Sequence, residues 1–455
     1  MSSIYICQSC GAQTRQFFGK CSSCGDWNSL VEQAFKASAR KKKQQKYGSI
    51  DTQAGTRSEN IASLNEETLD RLKTDCEEFD RVLGGGLVPG SLVLVGGDPG
   101  IGKSTLLLQT AAAMAEAKSV IYVSAEESAQ QVRLRWKRLK KSASDFKLLS
   151  ETDLEIVLDE LEALKPDIAI IDSIQALNDL NLSSSPGSIS QVRECSAALQ
   201  RVGKKNNIAM VLVGHVTKEG MLAGPKVLEH LVDAVLTFEG DRFASHRLLR
   251  AVKNRYGATN ELGVFEMQGA GLKQVSNPSE LFLSGAAASG VATIVACEGT
   301  RSLAVDVQAL VSSTTYPSPR RTATGIGTNR LHQILAVLEK HMGLNLSRYD
   351  CYLAIAGGLE VEEPAADLGI AAAILSSLRE IVLPQGTVLI GELGLGGQLR
   401  PVSQINQRLQ EASRLGFKRA VLPNGVDLGM MKSSIKLELL EASNINEAMI
   451  LALGK

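Results

Sequence analysis

The chain has 455 residues, which is enough for two or three domains with well-buried cores. Its 49 Lys and Arg residues balance its 49 Asp and Glu residues, so binding of nucleic acid must rely on local basic patches rather than on net charge. Aromatic residues make up only 4%, which argues against extensive base-stacking surfaces. No apolar run reaches the length of a membrane span and no signal segment opens the chain, so we expect a cytoplasmic protein without membrane contact.

The first predicted element is a metal-binding module over residues 1–30. It contains two Cys-x-x-Cys pairs, each followed directly by a glycine, and their thiols are Cys7, Cys10, Cys21 and Cys24. Four thiolates in two such pairs form a closed tetrahedral Zn²⁺ site, which is structural because no coordination position stays open. A redox pair or two disulfides is the alternative. Residues 31–60 follow as a basic, polar stretch, which predicts a flexible linker.

A phosphate-binding loop is the centre of an ATPase domain predicted over residues 61–275. The apolar run Ser91–Val95 predicts a strand and Leu106–Ala117 predicts a helix. The residues between them match Gly-x-x-x-x-Gly-Lys-Ser without departure, and the loop comprises Gly97, Asp98, Pro99, Gly100, Ile101, Gly102, Lys103, Ser104 and Thr105. Backbone N–H groups and the helix dipole would surround the phosphates of ATP, Lys103 would reach the outer phosphates, and Ser104 would ligate Mg²⁺.

Strands and helices alternate after this loop, so we predict an α/β fold with a parallel-rich sheet and ligands at the carboxyl ends of its strands. Asp172 closes the apolar strand Ile168–Asp172 in the Walker B pattern and is assigned to the Mg²⁺ shell. The next residue is Ser rather than Glu, so the carboxylate that positions the attacking water must come from elsewhere. Glu126, after the strand Val120–Val123, is the candidate, and this arrangement is RecA-like. The alternative is a carboxylate near a helix N-terminus without a catalytic role.

Three further segments give the chain a more specific resemblance. Together with the P-loop, the segments Leu83–Ser91, Tyr122–Ser128 and Lys253–Gly257 resemble the RadA (Sms) family of bacterial DNA repair proteins. Tyr256 stands where that family usually has Phe, and the cysteine module and the tail fit the same family. The resemblance implies that the chain assembles into a hexameric ring. It also implies that this ring is an ATP-driven helicase that acts on single-stranded and branched DNA. It also implies branch migration during recombination and a recombinase as partner.

The resemblance also implies how neighbouring subunits meet. Lys253 and Arg255 would reach across a subunit boundary to the ATP of the neighbour, as an arginine finger does. Hydrolysis would then depend on oligomerisation. From the residues alone, an ordinary pair on a surface strand is the alternative.

DNA contact in RecA-like rings falls to two loops, here about Leu180–Ile189 and Thr217–Lys226. The candidate contact residues in these loops are Ser184, Ser185, Lys218 and Lys226. Hydroxyl groups and ammonium groups both bind phosphate, but neither pattern is specific, so a surface loop without DNA contact is the alternative. His215, just before the second loop, is either a sensor between phosphate and DNA or a core or N-cap histidine.

Residues 276–455 are predicted to form an α+β domain that resembles the proteolytic domain of Lon peptidases. The resemblance rests on Glu363–Ala366 and Gly391–Val402. Those peptidases use a Ser nucleophile with a Lys base, but Ala365 and Asn406 stand at the two positions, so the dyad is absent. The domain either guides duplex DNA or supports oligomerisation.

The leading hypothesis is therefore a DNA-dependent ATPase and branch-migration helicase that needs ATP, Mg²⁺ and Zn²⁺. The second is a nucleotide-switched DNA-binding scaffold that does not translocate. An ATP-dependent protease is disfavoured by Ala365 and Asn406. Motor and switch use the same P-loop and Mg²⁺ ligands, so the sequence does not separate them.

Overall fold

The computed structural model describes residues 3–7, 13–14, 16–22, 25, 27, 30–34, 70–139, 146–215, 228–240, 245–285, 287–426 and 435–454. The predictions for most of the linker and for four site residues lie outside the described residues, these being Cys10, Cys24, Lys218 and Lys226. The chain divides into two compact units, residues 1–239 with 248–259 and 267–273, and residues 240–247 with 260–266 and 274–455.

A small antiparallel sheet opens the first unit. Its strands are β1 (Ser3–Cys7), β2 (Gln13–Thr14) and β3 (Leu30–Ala34), in the order β2-β1-β3. β3 includes four residues, 31 to 34, that the sequence pattern assigns to the linker. Cys7, Cys21 and Leu30 are buried together against Tyr5, so this short segment has a small core of its own.

A nine-stranded sheet forms the centre of the ATPase region. Its strands are β4 (Leu92–Gly97), β5 (Val120–Ser124), β6 (Phe146–Leu149), β7 (Ile168–Asp172), β8 (Ala209–Val213), β9 (Ala234–Glu239), β10 (His246–Asn254), β11 (Leu262–Gln268) and β12 (Gly271–Gln274). From β10 onward the order is β10-β9-β4-β8-β7-β5-β6. The six strands from β9 to β6 run parallel, as predicted, whereas β10 is antiparallel to β9.

Helices flank these parallel strands, the first preceding β4 and the others connecting successive strands from β4 to β8. They are α1 (Glu77–Leu83), α2 (Lys103–Met114), α3 (Ala129–Leu139), α4 (Leu154–Leu164) and α5 (Ile189–Asn206). α2 begins three residues before the predicted Leu106, because the phosphate-binding loop passes directly into the helix. The side chain of Asp153 accepts a hydrogen bond from Glu155 N at 2.9 Å and so caps α4. β4, β5, β7 and β8 are buried at every position, as expected of parallel strands covered on both faces.

The second unit contains a mixed seven-stranded sheet and a two-stranded hairpin. The strands are β13 (Val291–Glu298), β14 (Arg301–Ser313), β15 (Arg321–Thr324), β16 (Tyr349–Ile355), β17 (Thr387–Leu389), β18 (Glu392–Leu393), β19 (Leu399–Arg400), β20 (Arg419–Pro423) and β21 (Glu438–Ala442). The sheet order is β15-β16-β14-β13-β17-β20-β21, and β18 pairs with β19. The helices are α6 (Ser279–Phe282), α7 (Thr328–Met342), α8 (Asp367–Arg379), α9 (Ile405–Arg414) and α10 (Ile445–Leu453).

The core of the second unit lies between α8 and the sheet. α8 packs against β13 and β14 and is buried over most of its length. A Cβ atom at Gly369 would lie 2.1 Å from Ile294 Cγ2, so this close approach requires glycine. In the described ranges of both units, we find no helix that is both long and apolar enough to cross a membrane.

Candidate active site

Four neighbouring strands bring two of the four predicted catalytic residues, Lys103 and Glu126, to one edge of the central sheet. In the order β4-β8-β7-β5, the chain segments that follow the strands carry Lys103, His215, Ser173 and Glu126. Because the strands are parallel, all four carboxyl ends lie on the same side, which is where ligands bind in open α/β sheets. Residues that are up to 112 positions apart in the chain thus become neighbours.

The phosphate-binding loop has the backbone that its glycines permit. Gly97 has a φ of +147°, and a Cβ atom there would lie 2.8 Å from Phe238 Cβ. At Gly100, with a φ of +80°, a Cβ atom would meet no atom within 4 Å, so this part of the loop faces open space. The first N–H groups of α2 have no acceptor within the helix. Open space lined by N–H groups at a helix N-terminus fits a phosphate group.

Lys103 lies folded over this loop. Its Nζ donates hydrogen bonds to Gly97 O at 2.7 Å and to Asp98 O at 3.0 Å, and the residue is 4% exposed. Burial lowers the pKa of the Lys103 ammonium, while the carboxylates of Asp172, Glu126 and Asp98 act in the opposite direction. The ammonium is therefore held at the loop by carbonyl oxygens and by nearby negative charge.

His215 connects this lysine to Glu126. Its Nδ1 lies 3.5 Å from Lys103 Nζ, and its Nε2 lies 2.9 Å from Glu126 Oε1. Ser173 Oγ donates a hydrogen bond to the same carboxylate oxygen. The hydrogen bond from His215 is the largest cause that lowers the pKa of Glu126, and the bond from Ser173 adds to it against the opposing effect of burial. A lowered pKa keeps Glu126 ionised, which is the state that a base needs.

The Walker B aspartate has a partner that the sequence analysis does not predict. Tyr122 Oη donates a hydrogen bond of 2.5 Å to Asp172 Oδ2, and both residues are buried. Burial raises the pKa of Tyr122 well above its ordinary value, so the phenol stays a hydrogen-bond donor. The Asp172 carboxylate and the Ser104 hydroxyl supply the oxygen ligands that Mg²⁺ prefers, and Mg²⁺ usually takes few protein ligands beside water and phosphate.

Lys253 and Arg255 are occupied within their own chain. Lys253 Nζ donates to the carbonyl oxygens of Glu229 and Val232, the latter at 2.8 Å. Arg255 Nη1 pairs with Asp233 Oδ1 at 3.0 Å, and the arginine side chain is still 52% exposed. In the part of the chain that the structure describes, no contact joins either residue to Lys103 or Glu126.

Two of the segments that carry the family resemblance, Leu83–Ser91 and Lys253–Gly257, pack against each other. A Cβ atom at Gly84 would lie 2.9 Å from the Cα of Gly257. Arg71 donates hydrogen bonds to Tyr256 O at 2.5 Å and to Leu83 O at 3.3 Å. The segments Leu83–Ser91 and Lys253–Gly257 thus form one packed element beside β4.

The first predicted DNA loop is held by a buried glutamine. Gln191 Nε2 donates to Asn178 Oδ1, Asp179 O and Ser184 O at 2.9 to 3.1 Å, and its Oε1 accepts from Asp179 N. Ser185 is exposed, whereas the Ser184 hydroxyl is buried without a hydrogen-bond partner. Lys218 and Lys226 of the second loop lie outside the described residues, so all four DNA contacts stay predictions.

The predicted zinc module can be described only in part. Cys7 and Cys21 are buried, and Gly25 N donates to Cys21 O at 2.9 Å in the turn expected after the second pair. Cys10 and Cys24 lie outside the described residues. Within the described ranges, no group of three or more His, Cys, Asp or Glu side chains is arranged to hold a metal ion.

The two positions of the absent protease dyad lie beside an ion pair whose arginine is buried and whose glutamate is 23% exposed. Ala365 is 3% exposed, and Asn406 Oδ1 is buried without a hydrogen-bond partner. Arg408, 1% exposed, donates to Glu363 at 2.8 Å and 2.5 Å with its two Nη atoms and to Val295 O at 2.5 Å. An alanine and an amide provide neither a nucleophile nor a base, so this region has no peptidase chemistry of the predicted type.

Sequence reasoning missed Tyr122 and Ser173 as site residues. Tyr122 was noted only as part of a family segment, and Ser173 only as the residue that is not Glu. A hydroxyl directly after the Walker B aspartate was the one available signal, since it can bind a carboxylate on the neighbouring strand end.

Comparison with protein families accounts for three stretches of the chain. Residues 58–221 match an AAA domain, residues 5–32 a rubredoxin metal binding domain, and residues 329–425 the subunit ChlI of Mg-chelatase. These matches and the parallel sheet confirm the predicted fold class, a RecA-like P-loop ATPase with a zinc-binding module before it and an α+β domain after it. They also support ATP hydrolysis as the activity.

Solved structures with similar folds include a KaiC-like protein from Pyrococcus horikoshii and the RadB recombinase. The first is 20% identical and covers 46% of this chain and 99% of its own, with a TM-score of 0.39. The second is 23% identical and covers 45% and 100%, with a TM-score of 0.37. Similarities this weak add nothing to the assignment.

Curated relatives match over nearly the full length. The DNA repair protein RadA of Synechocystis is 51% identical over 95% of this chain and 91% of its own length. The DNA repair protein RadA of Bacillus subtilis is 46% identical over 99% of both chains. The chain therefore belongs to the RadA family of DNA repair proteins.

Proposed function

We propose that this chain is a DNA-dependent ATPase that drives branch migration of recombination intermediates as a helicase. The observation that carries the proposal is the set of contacts from Lys103 through His215 to Glu126 and Ser173. A cation that can bind phosphate and a carboxylate that can bind water thus lie at the same sheet edge, which supports the proposal. His215 also lies two residues before Thr217, where the second predicted DNA loop begins, so the backbone connects that loop directly to the site.

In this proposal each residue has a defined task. Lys103 and the N–H groups of the loop bind the phosphates, and Glu126 orients the attacking water and takes up its proton. His215 and Ser173 hold the Glu126 carboxylate in place. Ser104 and Asp172 would hold Mg²⁺, which would supply positive charge against the phosphates.

Assembly completes the site in this proposal. Arg255 is half exposed, so it is available to a neighbouring subunit at the cost of its pair with Asp233. We assign the same role to Lys253 and infer a hexameric, cytoplasmic ring.

The proposal also includes the domain limits at residues 30, 60 and 275 and the Lon-like character of the tail.

Zinc has a structural role in this proposal. The four thiols Cys7, Cys10, Cys21 and Cys24 would hold one Zn²⁺, and the rubredoxin-type match over residues 5–32 supports this ligand set. A closed site of this kind supplies folding energy to a short segment rather than chemistry. Metal content per chain should fall from one Zn²⁺ to none in the Cys7→Ser protein.

The proposal is tested by ATP turnover with and without single-stranded DNA. We expect DNA to raise the turnover of the wild type and to have no effect on Lys253→Ala, because this variant lacks the ammonium assigned to the neighbour's ATP. Lys147→Ala, on the exposed edge strand β6, is the matched control and should respond like the wild type. Equal rates with and without DNA in all three proteins would reject the motor and favour a nucleotide-switched scaffold.

A further inference from the structure

We propose that Tyr122 is a positioning residue that fixes which oxygen of Asp172 is presented to Mg²⁺. The inference rests on the proposed ATPase function. β5 and β7 are adjacent and parallel, with Ser124 opposite Asp172 and Tyr122 opposite Ile170. Side chains two positions apart in a strand point to the same face, so Tyr122 lies diagonally beside Asp172 and its ring spans the gap between them.

The tyrosine ring is held so that its hydroxyl has one position. Tyr122 is 1% exposed, and its ring centroid lies 6.2 Å from that of Phe146. The Phe146 ring in turn lies 4.5 Å from the ring of Trp136 on α3. Aromatic rings at these distances pack favourably, and a buried side chain does not change rotamer freely.

The hydrogen bond divides the two oxygens of Asp172 between two tasks. Oδ2 accepts the Tyr122 hydroxyl at 2.5 Å. Among the described residues, no other hydrogen bond to the Asp172 carboxylate is found, which leaves Oδ1 for the metal or for a water of its shell. Carboxylates that bind metals are commonly oriented by such a second hydrogen bond, and loss of the partner weakens metal affinity by about 10- to 100-fold.

The test is Tyr122→Phe in the full-length protein, which keeps the ring and removes only the hydroxyl. The probe is Mn²⁺ as a paramagnetic substitute for Mg²⁺, titrated in the presence of ADP and followed by electron paramagnetic resonance. We expect Mn²⁺ affinity to fall about 10-fold, while ADP affinity in EDTA stays at the wild-type value. Tyr352→Phe, on β16 of the second unit, is the matched control and should behave like the wild type.

The outcomes separate this inference from the proposed function. Unchanged Mn²⁺ affinity in Tyr122→Phe overturns the positioning role and leaves the ATPase proposal intact. If the wild type binds neither ADP alone nor Mn²⁺ in the presence of ADP, the positioning role and the ATPase proposal are both overturned. Phe146→Leu provides a second variant in case Tyr122→Phe does not fold, because it keeps the hydroxyl but loosens the ring. It should weaken Mn²⁺ binding by a smaller factor, and wild-type affinity in it would count against the proposal.

Discussion

The two units contain similar charged side chains and use them in opposite ways. In the first unit, His215 contacts both Lys103 and Glu126 at an edge of the sheet that opens to solvent. The phosphate-binding loop beside them faces open space at Gly100. In the second unit, the buried Arg408 bonds the partly exposed Glu363, and two further donors of Arg408 bond backbone carbonyl oxygens. A charged group whose partners all belong to its own fold has a structural role, whereas one held at an opening can act on a ligand.

The largest expected effect comes from removing the base of the open site. Glu126→Gln keeps the shape of the side chain but cannot accept a proton, so ATP turnover should fall about 10²- to 10⁴-fold while ADP binding is retained. The matched control is Glu127→Gln, because the neighbouring Glu127 pairs with Arg135 at 2.6 Å instead of facing the site. Equal losses in the two variants would mean that Glu126 has no special role.

The ion pair of Arg408 and Glu363 should matter for stability instead. Arg408→Met leaves the partly buried Glu363 carboxylate without its cation and with the Cys297 N–H as its remaining donor, so the free energy of unfolding of the second unit should fall by about 1–3 kcal/mol. Both tryptophans, Trp27 and Trp136, lie in the first unit, so tryptophan fluorescence reports unfolding of that unit. In Arg408→Met, the urea midpoint measured by circular dichroism should therefore fall, while the midpoint measured by fluorescence stays at the wild-type value.

A double variant tests the reason for that loss. Glu363→Leu combined with Arg408→Met removes both charges, so most of the stability should return. If the double variant is as unstable as Arg408→Met, packing rather than the unpaired charge explains the loss. A shift of the fluorescence transition in either variant would contradict the separation of the two units.

The smallest expected effect is a shift of the pH profile of ATP turnover. The hydrogen bond from His215 is the main cause that lowers the pKa of Glu126, so the wild type keeps this carboxylate ionised to lower pH than an ordinary glutamate. His215→Ala should therefore raise the pKa of Glu126, and the acidic limb of kcat/KM should move to higher pH. Ser173→Ala should move it in the same direction by less. An acidic limb that moves to lower pH would contradict this account.

Much of the ATPase fold could be predicted because each element has a local signal. Apolar runs mark β5 and β7, and the P-loop pattern fixes the junction of β4 and α2 to within a few residues. β10 was not predicted, since it mixes charged and apolar residues and is antiparallel to its neighbour β9. α5 was not predicted, because the polar residues of its exposed face interrupt the buried positions between Gln191 and Val202 in the sequence.

The candidate site was predicted as separate residues and not as a connected set. Lys103, Asp172 and Glu126 each follow from a motif or from a strand end. The partners Tyr122 and Ser173 depend on the order β8-β7-β5, which local sequence does not specify. The ion pair of Arg408 and Glu363 joins residues 45 positions apart in the chain, so local sequence does not predict it either.

Asp233 links the candidate subunit contact to the strand that carries the P-loop. Its Oδ1 accepts from Arg255, and its Oδ2 accepts from the backbone N–H of Leu92, the first residue of β4, at 3.0 Å. Asp233 is only 2% exposed, so withdrawal of Arg255 towards a neighbouring subunit would leave a buried carboxylate without its cation. If Arg255 engages a neighbouring subunit as proposed, that engagement and the anchoring of β4 are coupled through Asp233, and the coupling free energy is the same in both directions.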